Sequence, residues 1–217
     1  MLELAVKSLV GYLLGSLVGA LLLGALKGVD IRTVGSGNAG GTNALRTQGK
    51  LFALGVVVID VGKGWFAARV LPGLDLPGIG IDPTLGRGWV AVACAAGATL
   101  GHVYPVWWEF RGGKGAATIL GVLLGLEPRL LAPVLGVWLA VVALTGFVGL
   151  ATMVAVAALP FAVHLLVPQH AALLAFALAM AAFVVYTHRD NIARMRAGTE
   201  NRARRLWLLR PRPADRG

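Results

Sequence analysis

Residues 51–70 read LFALGVVVIDVGKGWFAARV. Before Arg69 the only charges in this stretch are Asp60 and Lys63. A helix crossing a hydrocarbon core of about 30 Å needs about 20 mostly apolar residues, and this stretch has that length. The two charges stand three positions apart. In a helix they share a face and can pair, which lowers the cost of burying each. The segment therefore reads as a membrane span, and the pair as either a functional element or a structural one.

Working outward, residues 4–26 form a similar run, interrupted by Lys7 near one end, where an ammonium can snorkel. Residues 71–87 carry Pro72, Pro77, Pro83 and several glycines and read as a loop. Further apolar runs cover 88–104, a short 116–126, 130–144, 148–167 with Pro160 as a kink, and 171–185. The chain is 57% hydrophobic and 14% charged, against about 45–50% and 25% in soluble domains. The expected fold is all-α, a polytopic integral membrane bundle of about seven transmembrane helices. We expect a single domain over residues 1–217, with 203–217 as a basic tail. No cleavable leader is expected, because the first run is too long and no small-residue site closes it.

Charge gives the orientation. Lys27, Arg32, Arg46, Lys50, Arg111, Lys114 and the arginines after His188 fall on one side. Arg69, Arg87 and Arg129, balanced by Asp75, Asp82 and Glu127, fall on the other. The positive-inside rule then places the N-terminus outside and the C-terminus in the cytoplasm. The net charge of +10 is thus a topological signal, and nucleic acid is not an expected partner. Cys94 is alone in an apolar run and reads as a small hydrophobe.

Three polar segments share the basic side. Residues 35–46 read GSGNAGGTNALR. Small residues let backbone N–H groups converge on an anion, side chains such as Ser36, Asn38, Thr42 and Asn43 add neutral hydrogen bonds, and Arg46 offers a fork to phosphate. Residues 111–118 read RGGKGAAT. Gly112, Gly113, Lys114 and Gly115 there open a helix whose N-terminus suits an anion. They do not make a Walker A loop, since glycine follows the lysine. Residues 187–202 bring His188 and Asn191 to one helix face, with Glu200 beyond. His102 ends its span beside the glycine-rich segment and, with Asp60 and Lys63, is a candidate support.

Residues 35–46, 101–118 and 188–202, in this order between hydrophobic runs, resemble the bacterial acyl-phosphate:glycerol-3-phosphate acyltransferase family, PlsY. The resemblance covers nearly the whole chain. It implies an enzyme of the cytoplasmic (inner) membrane, multi-pass, with its active site facing the cytoplasm. It implies transfer of a fatty acyl group from acyl phosphate to the 1-hydroxyl of sn-glycerol 3-phosphate, giving lysophosphatidate and phosphate in phospholipid biosynthesis. By the same resemblance Ser36, Arg46, His188 and Asn191 act in catalysis, Gly112–Gly115 hold glycerol phosphate, and Glu200 is structural. Gly41 stands where the family has alanine, and residues 145–152 lack the family's arginine and serines, so that Thr145 and Thr152 would replace a phosphate contact only in part. Acyl phosphate is itself a mixed anhydride with a good leaving group, so no protein nucleophile is needed, and no G-x-S-x-G elbow is present. His188 or a substrate phosphate oxygen takes the hydroxyl proton. No metal site, organic cofactor or obligatory protein partner is expected. The partners are acyl phosphate, sn-glycerol 3-phosphate and membrane lipid. The other reading of the same basic loops is a membrane transporter of an anionic solute, although such sites usually lie near the midplane.

Overall fold

The computed structural model describes residues 1–209, and every regular element within them is helical. In chain order these are α1 (Leu2–Gly15), α2 (Gly19–Leu26), α3 (Gly41–Thr47), α4 (Lys50–Arg69), α5 (Arg87–Val103), α6 (Ala116–Leu126), α7 (Leu131–Thr145), α8 (Val148–Leu166), α9 (Ala171–Thr187) and α10 (Arg189–Arg196). Four helical stretches are long and apolar enough to cross a membrane, or six if α1–α2 and α9–α10 each count as one bent span. The remaining apolar run, residues 116–126, is α6. Its 11 residues reach only about 16 Å at 1.5 Å per residue.

The first run is not one helix. It breaks at residues 16–18, and its halves meet at 43°. The break frees peptide groups, and in lipid each unsatisfied one costs several kcal/mol. The pair in α4 satisfies them. Lys63 Nζ donates to the carbonyls of Gly15 at 2.8 Å and Leu17 at 3.1 Å. Asp60 Oδ1 accepts the Gly19 N–H at 3.0 Å, and the two side chains meet at 2.9 Å.

Lys7 does not snorkel. It is fully buried and donates to Glu3 Oε1 at 2.7 Å and to the Pro72 carbonyl at 2.9 Å. Glu3 also accepts from Arg87 Nη1 and from the Asp82 N–H, both at 2.8 Å. A lysine buried this fully needs a carboxylate, and Glu3 sits one turn away to supply it. The cluster fastens the 71–87 loop to the start of α1.

Glycines set the tightest helix crossings. A Cβ on Gly11 or Gly15 of α1 would overlap backbone carbonyls of α5, and one on Gly97 or Gly101 of α5 would overlap those of α1. Gly64 of α4 and Gly121 of α6 meet in the same way. Lipid tails are as apolar as leucine, so membrane helices associate through close packing that small residues permit. A second core joins α8 and α9 to α5 and α6 through Leu159, Phe176, Val122 and Leu123.

Residues 199–209 turn back over the α7–α8 connection. The basic tail expected from residue 203 is therefore docked as far as Leu209. The remainder, residues 210–217, lies outside the described residues.

Candidate active site

The start of α4, the end of α5, the starts of α6 and α8 and the end of α9 come together at one end of the bundle. The first polar segment is shaped there by buried Asn43. Its Oδ1 accepts the Ser36 N–H at 2.9 Å, and its Nδ2 donates to the carbonyls of Ile31 at 3.2 Å and Val34 at 3.0 Å. The amide is therefore largely committed within its own loop. Gly35 and Gly37 have φ of +61° and +72°, left-handed backbone that glycine adopts without strain. The turn they make leaves Ser36 and Asn38 on the wall of a cavity, with Thr42 and Arg46 beyond them on α3. Arg46 is exposed and has no hydrogen-bond or ion-pair partner among the described residues. A Cβ on Gly41 would stand 3.0 Å from Val57 Cγ2, so an alanine there needs only a small shift.

Arg32 links this segment to the next. It grips the Asp30 carboxylate at 2.9–3.1 Å, and its Nη1 donates to the Trp108 carbonyl at 3.1 Å. Residues 111–115 then fold back on α5. The Gly112 N–H donates to the Val103 carbonyl and the Gly113 N–H to the His102 carbonyl, both at 3.0 Å. A Cβ on Gly112 would overlap the His102 carbonyl, and one on Gly113 the His102 ring. These two glycines therefore serve close approach, and their amides face α5. Toward the cavity the segment offers Lys114 and the first-turn N–H groups of α6, which a helix leaves unpaired.

The third segment locks onto Lys114. Its Nζ donates to Asn191 Oδ1, and its carbonyl accepts from Thr187 Oγ1 at 3.2 Å. Asn191 Nδ2 donates to Glu200 Oε1 at 2.9 Å, and Glu200 Oε2 accepts from Arg194 Nε at 2.6 Å. Gly149 at the start of α8 backs this chain, since a Cβ there would lie 2.8 Å from Asn191 Nδ2. His188 is buried, and its Nδ1 lies 2.8 Å from the Val184 carbonyl. A carbonyl only accepts, so Nδ1 carries the proton and Nε2 keeps its lone pair. Burial, and then the nearby Arg194 charge, push the Lys114 ammonium below the ordinary lysine value.

Beneath these segments His102 Nδ1 lies 2.9 Å from Lys63 Nζ and 3.3 Å from Asp60 Oδ1. Asp60 and His102 line the cavity, and Asp60 Oδ2 has no partner among the described residues. Lys63 turns instead to the α1–α2 break. The hydroxyls of the α7–α8 turn donate within their own helices, with Thr152 on the wall of the larger cavity. Thr145 Oγ1 donates to the Val141 carbonyl at 2.7 Å, and Thr152 Oγ1 to the Val148 carbonyl at 3.0 Å.

Two cavities meet at Ser36, Asn38, Lys114 and Arg194. The smaller, about 260 Å³, is polar, and it adds Gly112, Gly113, Arg32, Arg111, Arg189 and Asp190 to the shared residues. The larger, about 560 Å³, holds His188, Asn191, Arg46 and Glu200 at its polar part and continues along apolar residues of α4 and α7. Sequence reasoning used Arg32 only as a topological charge and left Arg194 outside the site. Arg194 follows Asn191 by three positions, and that helical spacing was the available signal.

Residues 5–198 match the family model described as glycerol-3-phosphate acyltransferase. The chain is 42% identical over 190 residues to the glycerol-3-phosphate acyltransferase of Geotalea daltonii, covering 88% of this chain and 92% of that one. It is 40% identical over 202 residues to that of Geobacter sulfurreducens, covering 93% and 98%. Its fold is similar to the crystal structure of PlsY, an integral membrane glycerol 3-phosphate acyltransferase, in its glycerol 3-phosphate form. The TM-score is 0.78 at 34% identity, over 92% of this chain and 94% of that one. The lysophosphatidic acid form gives 0.77 at 32% identity, over 94% and 97%.

Proposed function

Because the chain belongs to the glycerol-3-phosphate acyltransferase family, we propose that it transfers a fatty acyl group from acyl phosphate to the 1-hydroxyl of sn-glycerol 3-phosphate. The hydroxyl oxygen bonds to the acyl carbon, the carbon–oxygen bond to phosphate breaks, and the hydroxyl proton ends on the released phosphate. Lysophosphatidate and inorganic phosphate are the products. The observation that carries the reading is the meeting of the two cavities at Ser36, Asn38, Lys114 and Arg194. A small cationic chamber suits a polyol phosphate. A larger one with an apolar extension suits a phosphate bearing an alkyl chain.

Lys114 stands where both phosphates would converge, and Asn191 and Glu200 hold it there. Charge developing on the leaving phosphate meets Lys114, Arg46 and the first-turn amides of α6, a preorganised arrangement that favours the transition state. Ser36 and Asn38 position the glycerol backbone between them. His188 Nε2 accepts a hydrogen bond from the attacking hydroxyl. The site faces the cytoplasm of a cytoplasmic-membrane protein with about seven spans, α6 among them and the whole chain one domain, because the basic residues gather at this end.

The test is turnover by purified protein in detergent. Acyl phosphate and glycerol 3-phosphate should yield phosphate and lysophosphatidate with no membrane gradient, and Ser36→Ala with Arg46→Ala and Lys114→Ala should abolish it. No product from folded protein would sink the reading. Replacing His188 with Gln then separates its roles. Burial lowers the His188 imidazole to about 4, so loss of an acid limb near that pH marks the imidazole as base, whereas a surviving limb leaves it as a hydrogen-bond acceptor. A gradient-driven transporter would instead bind near the bilayer midplane, whereas these residues cluster at one end.

A further inference from the structure

We infer that the C-terminal strap, residues 199–209, walls the acyl groove and sets how long a chain the groove accepts. The inference rests on the acyl-transfer reading above. The family-model match ends at residue 198, just before the strap begins.

The strap is built into the fold. A helix leaves its last carbonyls without partners, and at the end of α7 the strap supplies donors for them. Leu208 N–H donates to the Ala143 carbonyl at 2.9 Å, Trp207 Nε1 to Leu144 at 3.1 Å, and Arg202 Nη1 to Thr145 at 3.1 Å. The Ala203 N–H donates to the Gly146 carbonyl at 2.7 Å. The Arg202 guanidinium lies over the rings of Phe147 and Trp207, 4.3 and 4.2 Å from their centroids, a favourable cation–π geometry. Gly146, at φ +76°, admits this approach, since a Cβ there would come within 3.2 Å of both Trp207 and Arg202.

Docked in this way, the strap places Leu206 and Ala203 on the wall of the larger cavity. The further apolar lining includes Leu54 and Val57 on α4 and Trp138 on α7. Trp138 is fixed, its indole N–H donating to Thr152 Oγ1 at 3.2 Å. An alkyl chain that leaves the Lys114–Asn191 end of this cavity therefore runs between a fixed indole, α4 and a leucine carried on the strap. Each methylene denied apolar contact weakens binding about fourfold, so the size of residue 206 registers as a preference for chain length.

The experiment uses the full-length protein and compares kcat/KM for dodecanoyl and octadecanoyl phosphate at saturating glycerol 3-phosphate. Leu206→Trp should cut the octadecanoyl-to-dodecanoyl ratio about tenfold or more, and Leu206→Ala should raise it. Trp207→Ala, which loosens the clasp, should raise KM for both donors severalfold and leave KM for glycerol 3-phosphate unchanged. A ratio unmoved in Leu206→Ala, with wild-type melting temperature and wild-type turnover intact, overturns the strap's role alone. No turnover of either donor by the wild-type protein overturns the acyl-transfer reading, and this inference with it.

Discussion

Lys114 sits half-buried between two cavities with its ammonium bound to Asn191. Its charge is what a phosphate recognises, and burial has already lowered its hold on the proton. The protonated form is the binding form, so activity falls as pH rises through the lowered value. The alkaline limb of kcat/KM for glycerol 3-phosphate should thus lie below the ordinary lysine range. Lys114→Arg should move the limb upward at reduced rate, because a guanidinium stays protonated. An identical limb in both proteins would assign it elsewhere. Glu200 is the next residue outward. Glu200→Ala strands the Asn191 amide and the Arg194 guanidinium, bonded at 2.9 and 2.6 Å. Hydrogen bonds to charged groups contribute about 1.5–3 kcal/mol each, so the variant should melt well below wild type in detergent. It should also turn over slowly at temperatures where it remains folded. Glu200→Gln, which keeps an acceptor for Asn191, should fall between the two. The motif residues were legible one by one in the sequence. What composition hid was the use of Asn43 and of the Gly112 and Gly113 amides. They read as ligands for an anion, but in the fold they shape the loops that present Ser36 and Lys114.

At the scale of elements, runs of about 20 apolar residues announce themselves, and α4, α5, α8 and α9 stand close to where the hydropathy puts them. The break in the first run does not show in the hydropathy, and its one sequence mark is the Gly15-Ser16 pair, a common kink site. The groups that satisfy it, Asp60 and Lys63, lie more than 40 positions away in sequence. Their pairing was foreseen from the three-residue spacing, but their task was not. Asp60→Ala leaves the Lys63 ammonium buried with only carbonyls and a histidine, and removing one partner of a buried pair costs about 3–5 kcal/mol. The measurement is thermal unfolding of purified protein, and a loss below about 1 kcal/mol would show that the pair is not needed there. The glycine pairs Gly11–Gly15 and Gly97–Gly101 were equally readable as close-packing signals, and only the structure says which helices they join.

The molecule as a whole places every candidate catalytic group at one end, and its basic residues predict which compartment that end faces. Cys94 is fully buried, so single cysteines report on sidedness with little background. In intact spheroplasts a membrane-impermeant maleimide should label Asp75→Cys and spare Ala197→Cys until the membrane is opened. The reverse pattern would invert the topology. An arginine-rich terminus reads as solvated, and its anchors on α7, the Leu208 N–H, the Trp207 indole and the Arg202 guanidinium, leave no trace in composition. The break between α1 and α2 also constrains biogenesis. The Gly15 and Leu17 carbonyls and the Gly19 N–H find their partners on α4, which leaves the ribosome after α2. The bent form of the first span is therefore complete only once α4 lies beside it.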